Sequence, residues 1–220
     1  MIKAVIFDFD GTLMNTIPTI AKYCDAALKY VGLPAIADEA KYKSYVGNGR
    51  DDLMHTILGY CNADTPENYE NAGREYDRLY SADMLSGSYV YDGIWELLDN
   101  LKKEGIKVAV CSNKPHDIAS GMVAEVFGDT FDECFGKRDG VPRKPAPDSA
   151  FEIAKKLGVE PNECAFVGDT LTDVKTGENA GMFTIAVSWG FRDRDSLKSA
   201  DVLADAPCEI FDAIKNKNRE

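Results

Sequence analysis

Residues 2–12 read IKAVIFDFDGT, an apolar run that ends in two aspartates, a glycine and a threonine. Apolar and β-branched residues bounded by acid and glycine predict a buried strand over Ile2–Phe7. Residues two positions apart in a strand project on the same side, so Asp8 and Asp10 would repel each other unless a cation or a proton is shared between them. The stretch therefore predicts a core strand with a chemically active end.

Short apolar runs of the same kind recur along the chain, and helical patterns separate them. The further strand candidates are Ile106–Cys111, Cys164–Val167, Phe183–Val187 and a weaker one at Asp201–Leu203. Helices with one apolar face are predicted at Ile94–Glu104, Ile118–Phe127 and Asp148–Leu157. Alternating strands and helices are typical of a parallel sheet covered on both sides. The predicted fold is α/β, with a Rossmann-like doubly wound parallel sheet as its core.

Residues 15–93 interrupt this alternation, because they contain no strand-like run. A crossover between parallel strands needs only about a dozen or more residues, and long irregular loops are uncommon in compact domains. Amphipathic helix patterns occur in the interval at Ile20–Val31, Asp51–Leu58 and Tyr69–Tyr80. We therefore predict an α-helical domain inserted over residues 15–83, with residues 1–14 and 84–220 forming the core domain.

The composition restricts the classes of function. Of 220 residues, 37 are acidic and 25 basic, giving a net charge of −12, which argues against a nucleic-acid or anionic-membrane binder. No stretch is apolar for long enough to span a bilayer. Two aspartates interrupt the first apolar run, so no signal peptide is expected. The six cysteines are scattered without a C-x-x-C pair, which favours reduced thiols and a cytoplasmic location.

Polar segments reach one edge of the predicted sheet. Ligands of open parallel sheets bind at the carboxyl ends of the strands. The segments expected at this edge are Asp8–Thr12, Ser112–Pro115, Arg143–Pro147 and Gly168–Thr170, with Asp173 four residues after Asp169. The sequence thus predicts that carboxylates, a hydroxyl, an amide and an ammonium group meet in one small volume.

This set of groups suits phosphoryl transfer. Clustered carboxylates favour a hard cation such as Mg²⁺, and Ser112, Asn113 and Lys144 offer the hydrogen-bond donors and positive charge that a phosphoryl group requires. A carboxylate can attack phosphorus to form an aspartyl-phosphate when metal and lysine offset the repulsion. A second carboxyl group can protonate the leaving oxygen and later take a proton from water.

Taken singly, these elements also have purely structural explanations. Ser112 fits a helix N-cap, Lys144 a solvated loop lysine, and Gly168-Asp169 an ordinary turn. The Asp-x-Asp-Gly segment could begin a Ca²⁺ loop, but Leu13 and Thr19 stand where such a loop needs glycine and glutamate. Their joint order along the chain, at strand ends, favours a common site.

The four segments resemble the motifs of the haloacid dehalogenase superfamily, in the family's order and over nearly the whole chain. These segments are Asp8-Phe9-Asp10-Gly11-Thr12, Ser112-Asn113, Lys144-Pro145 and Gly168-Asp169 with Asp173. The resemblance implies that Asp8 is the nucleophile and Asp10 the general acid/base. It also implies that the helical insertion is a cap that closes over the site and selects the substrate.

The same resemblance implies a metal site and a phosphate site. Mg²⁺ would be held by Asp8, the backbone carbonyl of Asp10 and Asp169, while Asp173 would bind through water or orient the site. The implied phosphate contacts are Ser112, Asn113 and Lys144.

Within the superfamily, Asp10 points to phosphoryl transfer, because dehalogenases lack this second acid. The segments S-N-K-P, D-G-V-P-R-K-P-A-P-D and V-G-N-G-R are most similar to phosphoglycolate phosphatases, and they make Asn48 and Arg50 candidates for substrate selection. Asn15 departs from the pattern, since many relatives carry aspartate there. The expected function is Mg²⁺-dependent hydrolysis of a small phosphorylated metabolite by a monomer or homodimer.

Several other functions fit part of the pattern. A hexose-phosphate mutase, a pyrophosphatase or a nucleotidase would use the same fold and the same aspartyl-phosphate. A phospho-receiver domain also gathers acids, a hydroxyl and a lysine around Mg²⁺, but it needs neither inserted helices nor paired aspartates. A non-catalytic phosphometabolite sensor would not need both Asp8 and Asp10.

Overall fold

The computed structural model of the chain describes residues 1–219. The chain forms two compact units. The first, called the core unit below, comprises Met1–Met14 and the chain from Val90 onward. The second, called the inserted unit, comprises Asn15–Tyr89.

The core unit is built on a parallel sheet in the order β5-β4-β1-β6-β7-β8, while β2 and β3 pair separately. The strands are β1 (Ala4–Phe7), β2 (Met14–Asn15), β3 (Tyr89–Val90), β4 (Lys107–Pro115), β5 (Glu133–Lys137), β6 (Cys164–Gly168), β7 (Phe183–Val187) and β8 (Val202–Ala204). A strand order that reverses beside the first strand is the doubly wound arrangement. The predicted α/β fold is confirmed.

α-Helices separate most strands of the sheet, and a short 3₁₀ helix, Arg194–Leu197, lies between β7 and β8. The α-helices are α1 (Ile17–Tyr30), α2 (Glu39–Tyr45), α3 (Arg50–Tyr60), α4 (Pro66–Ala82), α5 (Ile94–Lys103), α6 (His116–Phe127), α7 (Asp148–Leu157), α8 (Leu171–Ala180) and α9 (Pro207–Lys217). Each core helix buries one apolar stripe, as α7 does with Ile153 and Leu157 before it ends at left-handed Gly158. Within residues 1–219, no helix is both long and apolar enough to cross a membrane.

In β1, β4 and β6, the three central strands, the register aligns the carboxyl ends, where the polar residues begin. Phe7 of β1 lies opposite Val110 of β4 and Val167 of β6, so the residues that follow leave the sheet at the same edge. β4 is longer than the predicted strand, because it continues through Ser112, Asn113 and Lys114 to Pro115. These three polar residues are therefore buried between neighbouring elements rather than placed in a surface loop.

Within residues 1–219, several strands and α-helices have no counterpart in the predicted pattern. β2 and β3 have two residues each, too few for a strand pattern, and β3 lies in the interval 15–93 where the sequence predicts no strand. β5 is an edge strand with a glycine and charged ends, so its composition carries little strand signal. α2 buries only Tyr42 of its seven residues, too little for a periodic apolar stripe. α9 buries Pro207, Ile210 and Ile214, a stripe that the charged residues around it obscure.

The inserted unit consists of α1 to α4 and their connections. α4 begins earlier than the predicted Tyr69, because Thr65 caps its N-terminus by accepting a hydrogen bond from the Asn68 N–H, and Pro66 starts the first turn. The unit extends to Tyr89, later than the predicted limit at residue 83. The Thr19 hydroxyl of α1 hydrogen-bonds to the Ser86 carbonyl and the Ser88 hydroxyl, and so ties this segment to the helices.

Candidate active site

Asp8, Asp169 and Asp173 form a buried acidic cluster at the carboxyl edge of the sheet. Each contributes a carboxylate oxygen that lies within 4.8 Å of the corresponding oxygens of the other two. Asp8 follows β1, Asp169 follows β6, and Asp173 lies in the first turn of α8. Three carboxylates this close repel one another strongly in a buried site. A cation or a shared proton is therefore needed among them.

Lys144 supplies one positive charge. Its Nζ donates to Asp8 Oδ1 at 2.7 Å and to Asp173 Oδ1 at 2.7 Å, and its side chain is buried. The amide of Asn113 fixes the backbone on both sides of Lys144: the Lys144 N–H donates to Asn113 Oδ1 at 2.9 Å, and Asn113 Nδ2 donates to the Lys144 carbonyl at 3.2 Å. Asn113 thus holds the lysine loop against the end of β4.

The pKa values of these groups reflect burial and mutual repulsion. Burial and the charge of Asp173 raise the pKa of Asp8 well above its usual range, although Lys144 opposes the shift. Burial and Asp173 likewise raise the pKa of Asp169 to about 7. Burial opposes the charge on Lys144, but the carboxylates of Asp173 and Asp8 outweigh it and raise the lysine pKa. One ammonium group does not compensate three ionised acids, so a further cation or a bound proton is needed to balance them.

Hydrogen bonds from the surrounding loops orient two of the acids. Thr170 caps α8, and its backbone N–H and hydroxyl donate to Asp173 Oδ2 at 3.0 and 2.6 Å. The Phe191 N–H donates to Asp169 Oδ2 at 2.7 Å, and the Thr12 hydroxyl donates to Asp169 Oδ1 at 3.2 Å. These contacts aim the remaining carboxylate lone pairs at the centre of the cluster.

Glycines allow the loops to approach the acids closely. A Cβ atom on Gly190 would lie 2.2 Å from the Asp169 Cβ, and one on Gly168 would lie 2.2 Å from the Asp173 Cβ. Gly11 has φ +87°, and a Cβ there would lie 2.4 Å from Asp169 Oδ2. Any larger residue at these positions would displace the carboxylates.

Asp10 lies outside the acidic cluster and has a lysine of its own. Its Oδ2 is 3.1 Å from Lys114 Nζ, and the Lys114 side chain is buried. Asp10 belongs to a tight turn in which the N–H groups of Leu13 and Met14 both donate to the Phe9 carbonyl. Asp8 and Asp10 thus form ion pairs with different lysines, Lys144 and Lys114.

Ser112 is buried at the end of β4, and its hydroxyl accepts a hydrogen bond from the Lys114 N–H at 3.2 Å.

Asn48 and Arg50 belong to the inserted unit. The Arg50 guanidinium forms a fork to Asp77, with Nε donating to Oδ1 at 3.0 Å and Nη2 to Oδ2 at 2.7 Å. Arg50 therefore joins α3 to α4 within that unit.

Several residues of the site have no role that the sequence alone indicates. Lys114 was visible in the S-N-K-P segment, but nothing in the spacing showed that it reaches Asp10. The loop after β7 contributes Trp189, Gly190 and Phe191, whose side chains carry no carboxylate, amide or ammonium group that would mark a site. Trp189 contacts the site through its indole N–H, Phe191 through its backbone N–H, and Gly190 through close packing of its backbone. Only the folded chain shows these contributions.

Comparison with known proteins decides the family. Residues 2–181 match the haloacid dehalogenase-like hydrolases. The chain belongs to this family. It is therefore an enzyme of the hydrolase class, as the motifs predicted.

Several proteins are similar to this hydrolase over nearly its whole length. It is 32% identical to the phosphoglycolate phosphatase of Chromobacterium violaceum over 98% of this chain and 97% of that protein. It is 32% identical to the N-acetylmuramic acid 6-phosphate phosphatase of Pseudomonas aeruginosa over 97% of this chain and 95% of that protein. A predicted phosphoglycolate phosphatase of Haemophilus somnus superposes with a TM-score of 0.89 at 27% identity, over 96% of this chain and 97% of that one. The first two of these relatives are phosphatases of phosphate monoesters.

Proposed function

We propose that this hydrolase is a Mg²⁺-dependent phosphatase of small phosphate monoesters, with Asp8 as nucleophile. The observation that carries the proposal is the contact of the buried Asp8 carboxylate with Lys144 Nζ at 2.7 Å, beside Asp169 and Asp173. A carboxylate beside a fixed ammonium group and further acids combines a nucleophile with the charges that a phosphoryl group and a metal ion require. The phosphatase relatives support the same reaction.

The residues of the acidic cluster fit Mg²⁺. The cluster offers carboxylate oxygens only, the ligands that this hard cation prefers. Its charge exceeds that of Lys144 when the acids are ionised, and burial together with the charge of Asp173 raises the pKa values of Asp8 and Asp169. Asp8 and Asp169 would hold the ion, together with the Asp10 backbone carbonyl, and Asp173, whose oxygens accept hydrogen bonds from Lys144 and Thr170, would bind it through water or orient the site. When bound, the ion supplies positive charge that offsets the repulsion between the acids and the substrate phosphate.

The chain's own groups then have distinct roles in two steps. In the first step, which requires Asp10 in its protonated form, Asp8 forms a bond to phosphorus, the bond from phosphorus to the leaving oxygen breaks, and Asp10 gives its proton to that oxygen. In the second step, Asp10 takes a proton from water, which attacks phosphorus and releases phosphate from Asp8. Lys144 neutralises charge on the phosphoryl oxygens, and Ser112 and Asn113 line the same strand end.

We further propose 2-phosphoglycolate as the first substrate to test, because phosphoglycolate phosphatases are among the full-length relatives. An N-acetylmuramic acid 6-phosphate phosphatase is as similar in identity, so a sugar phosphate is the second candidate. Substrate selection is assigned to the inserted unit, with Asn48 and Arg50 as candidates.

A phosphate-release screen tests the proposal. The wild-type protein is incubated with Mg²⁺ and a panel of phosphometabolites, and kcat/KM is measured for each. A marked preference for 2-phosphoglycolate supports the first assignment, and a preference for a sugar 6-phosphate supports the second. If no phosphate is released from any ester, including p-nitrophenyl phosphate, the proposed phosphatase function is wrong.

A further inference from the structure

Lys114 and Asp10 form an ion pair that is separate from the acidic cluster. Lys114 Nζ lies 3.1 Å from Asp10 Oδ2, and the two side chains are 7% and 20% exposed. A mostly buried charge pair is screened less than an exposed one, and breaking it leaves a partly buried charge without compensation. The pair therefore constrains the position of Asp10 more strongly than a surface salt bridge would.

The backbone of Lys114 is held from two sides. Its N–H donates to the Ser112 hydroxyl at 3.2 Å. On the other side β5 packs so closely that a Cβ on Gly136 would lie 2.5 Å from the Lys114 carbonyl oxygen. Lys114 also lies near the end of a sheet strand rather than in a mobile loop. A rigid backbone gives the lysine a defined direction from which to hold its partner.

The other lysine of the site is engaged elsewhere. Lys144 contacts Asp8 and Asp173 at 2.7 Å each. Lys114 pairs with Asp10, whereas Lys144 pairs with Asp8 and Asp173. This arrangement keeps the carboxyl group of Asp10 apart from the three acids that would surround a metal ion. Asp10 is thereby placed to act on a proton rather than to join the ligand cluster.

We propose that Lys114 is a positioning residue for Asp10, and that it holds the Asp10 carboxyl group where the leaving oxygen of the ester receives its proton. The inference rests on the proposed phosphatase function. A general acid must lie within hydrogen-bond reach of the atom that it protonates, and a small displacement of a catalytic group is costly to the rate. Lys114 does not touch the reacting atoms in this assignment; it acts through Asp10.

Leaving-group dependence distinguishes this role from a general structural one. p-Nitrophenolate is a stable anion that departs without a proton, whereas phenolate and alkoxides need one. The measured quantity is kcat/KM, because it reports the steps up to departure of the leaving group and not the later release of phosphate from Asp8. The test compares a series of substituted phenyl phosphates, from phenyl to p-nitrophenyl, in each variant.

The variants are Lys114→Met, which removes the ion pair, and Asp10→Asn, which removes the acid itself. Lys107→Met is the matched control, because Lys107 starts the same strand and its Nζ donates to the Leu157 carbonyl. Circular dichroism and thermal unfolding establish that each variant is folded. If Lys114→Met does not fold, Lys114→Gln replaces it in the same comparison.

We expect Lys114→Met to lower kcat/KM for phenyl phosphate by about tenfold or more, part of the roughly 10²–10⁴-fold that a general acid contributes. For p-nitrophenyl phosphate the loss should be about twofold or less. Asp10→Asn should show the same trend with larger losses, and Lys107→Met should resemble wild type. Lys114→Arg should recover part of the activity on phenyl phosphate, because it restores a cation beside Asp10.

Two results would overturn the inference while leaving the phosphatase function intact. One is an equal loss for all phenyl phosphates in Lys114→Met, which would make Lys114 a structural residue. The other is a loss on 2-phosphoglycolate that far exceeds the loss on ethyl phosphate, which would make Lys114 a binding residue for a substrate carboxylate. Absence of activity in the wild-type enzyme would instead refute the proposed function itself.

Discussion

The indole N–H of Trp189 donates a hydrogen bond of 3.1 Å to the carbonyl oxygen of Thr12. This contact joins the loop after β7 to the loop after β1. The hydroxyl of the same threonine donates to Asp169, and the Phe191 N–H donates to the other oxygen of that carboxylate. Trp189 thus supports the position of Asp169 through Thr12.

Trp189→Phe should loosen this support. Loss of one such hydrogen bond costs about 1 kcal/mol of unfolding free energy, which corresponds to a decrease of roughly 2–4 °C in Tm for a chain of this size. The rise in Tm on addition of Mg²⁺ should also be smaller than in wild type, because Asp169 is held less firmly. Trp95→Phe is the control, since Trp95 is about half exposed and packs on Phe127. An unchanged Mg²⁺-induced rise in Trp189→Phe would show that the indole does not support Asp169.

Asp8→Asn should abolish phosphate release and leave the fold intact. The amide is not a nucleophile toward phosphorus, but it is nearly the same size as the carboxylate. Because burial and Asp173 raise the pKa of Asp8, removal of its charge relieves repulsion in the metal-free protein. We therefore expect a metal-free Tm at least equal to that of wild type. Substantial residual turnover would refute Asp8 as the nucleophile.

Gly190→Ala should weaken metal binding. The added methyl group would lie 2.2 Å from the Asp169 Cβ, so the loop or the carboxylate must move. Gly59→Ala is the matched control, because Gly59 is helical and has open space around its Cβ position; it should stabilise the protein by about 0.5–1 kcal/mol. Isothermal titration with Mg²⁺ compares the two variants. Equal Mg²⁺ affinity in Gly190→Ala and wild type would contradict the expectation.

The cysteines should differ sharply in reactivity. Burial raises the pKa of Cys111 and of Cys164 to about 12, so both stay protonated, and unreactive, at pH 8. Cys208 is exposed on α9. Brief treatment of the native protein with iodoacetamide, followed by peptide mass spectrometry, should therefore label Cys208 well before the buried thiols. Early labelling of Cys111 would contradict its buried position.

The fork between Arg50 and Asp77 should stabilise the inserted unit. Arg50→Met removes both hydrogen bonds of the fork, and Asp77→Asn removes the negative charge and one of its two acceptor oxygens. In a double-mutant cycle the two changes should therefore be non-additive, with a coupling of about 1 kcal/mol in unfolding free energy. The same variants, assayed on several phosphate esters, test the assignment of Arg50 to substrate selection. A change in substrate preference for Arg50→Met without one for Asp77→Asn would support direct contact with substrate.

Local sequence patterns predicted much of the core unit. The run before Asp8 predicted β1, and the apolar stripes of α5 and α7 predicted helices close to those observed. Such patterns succeed because a buried strand and a one-sided helix each impose a spacing on neighbouring residues. β5, α2 and α9 bury few residues or have mixed composition, so their patterns were too weak to predict them.

The sequence by itself determined which polar side chains reach the carboxyl edge of the sheet. Each of them follows a strand or begins a helix, and the residue pattern of that strand or helix can be recognised from neighbouring residues alone. That was enough to place Asp8, Asp10, Lys144 and Asp169 on segments that share one edge. Only the tertiary structure decided which side chain faces which. Lys144 forms an ion pair with Asp8 although 136 positions separate them. Asp10 pairs with Lys114 rather than with Lys144. The physical reason is that ion pairs and hydrogen bonds depend on distances of a few ångströms between loops, and these distances are fixed only when the sheet and its helices pack together.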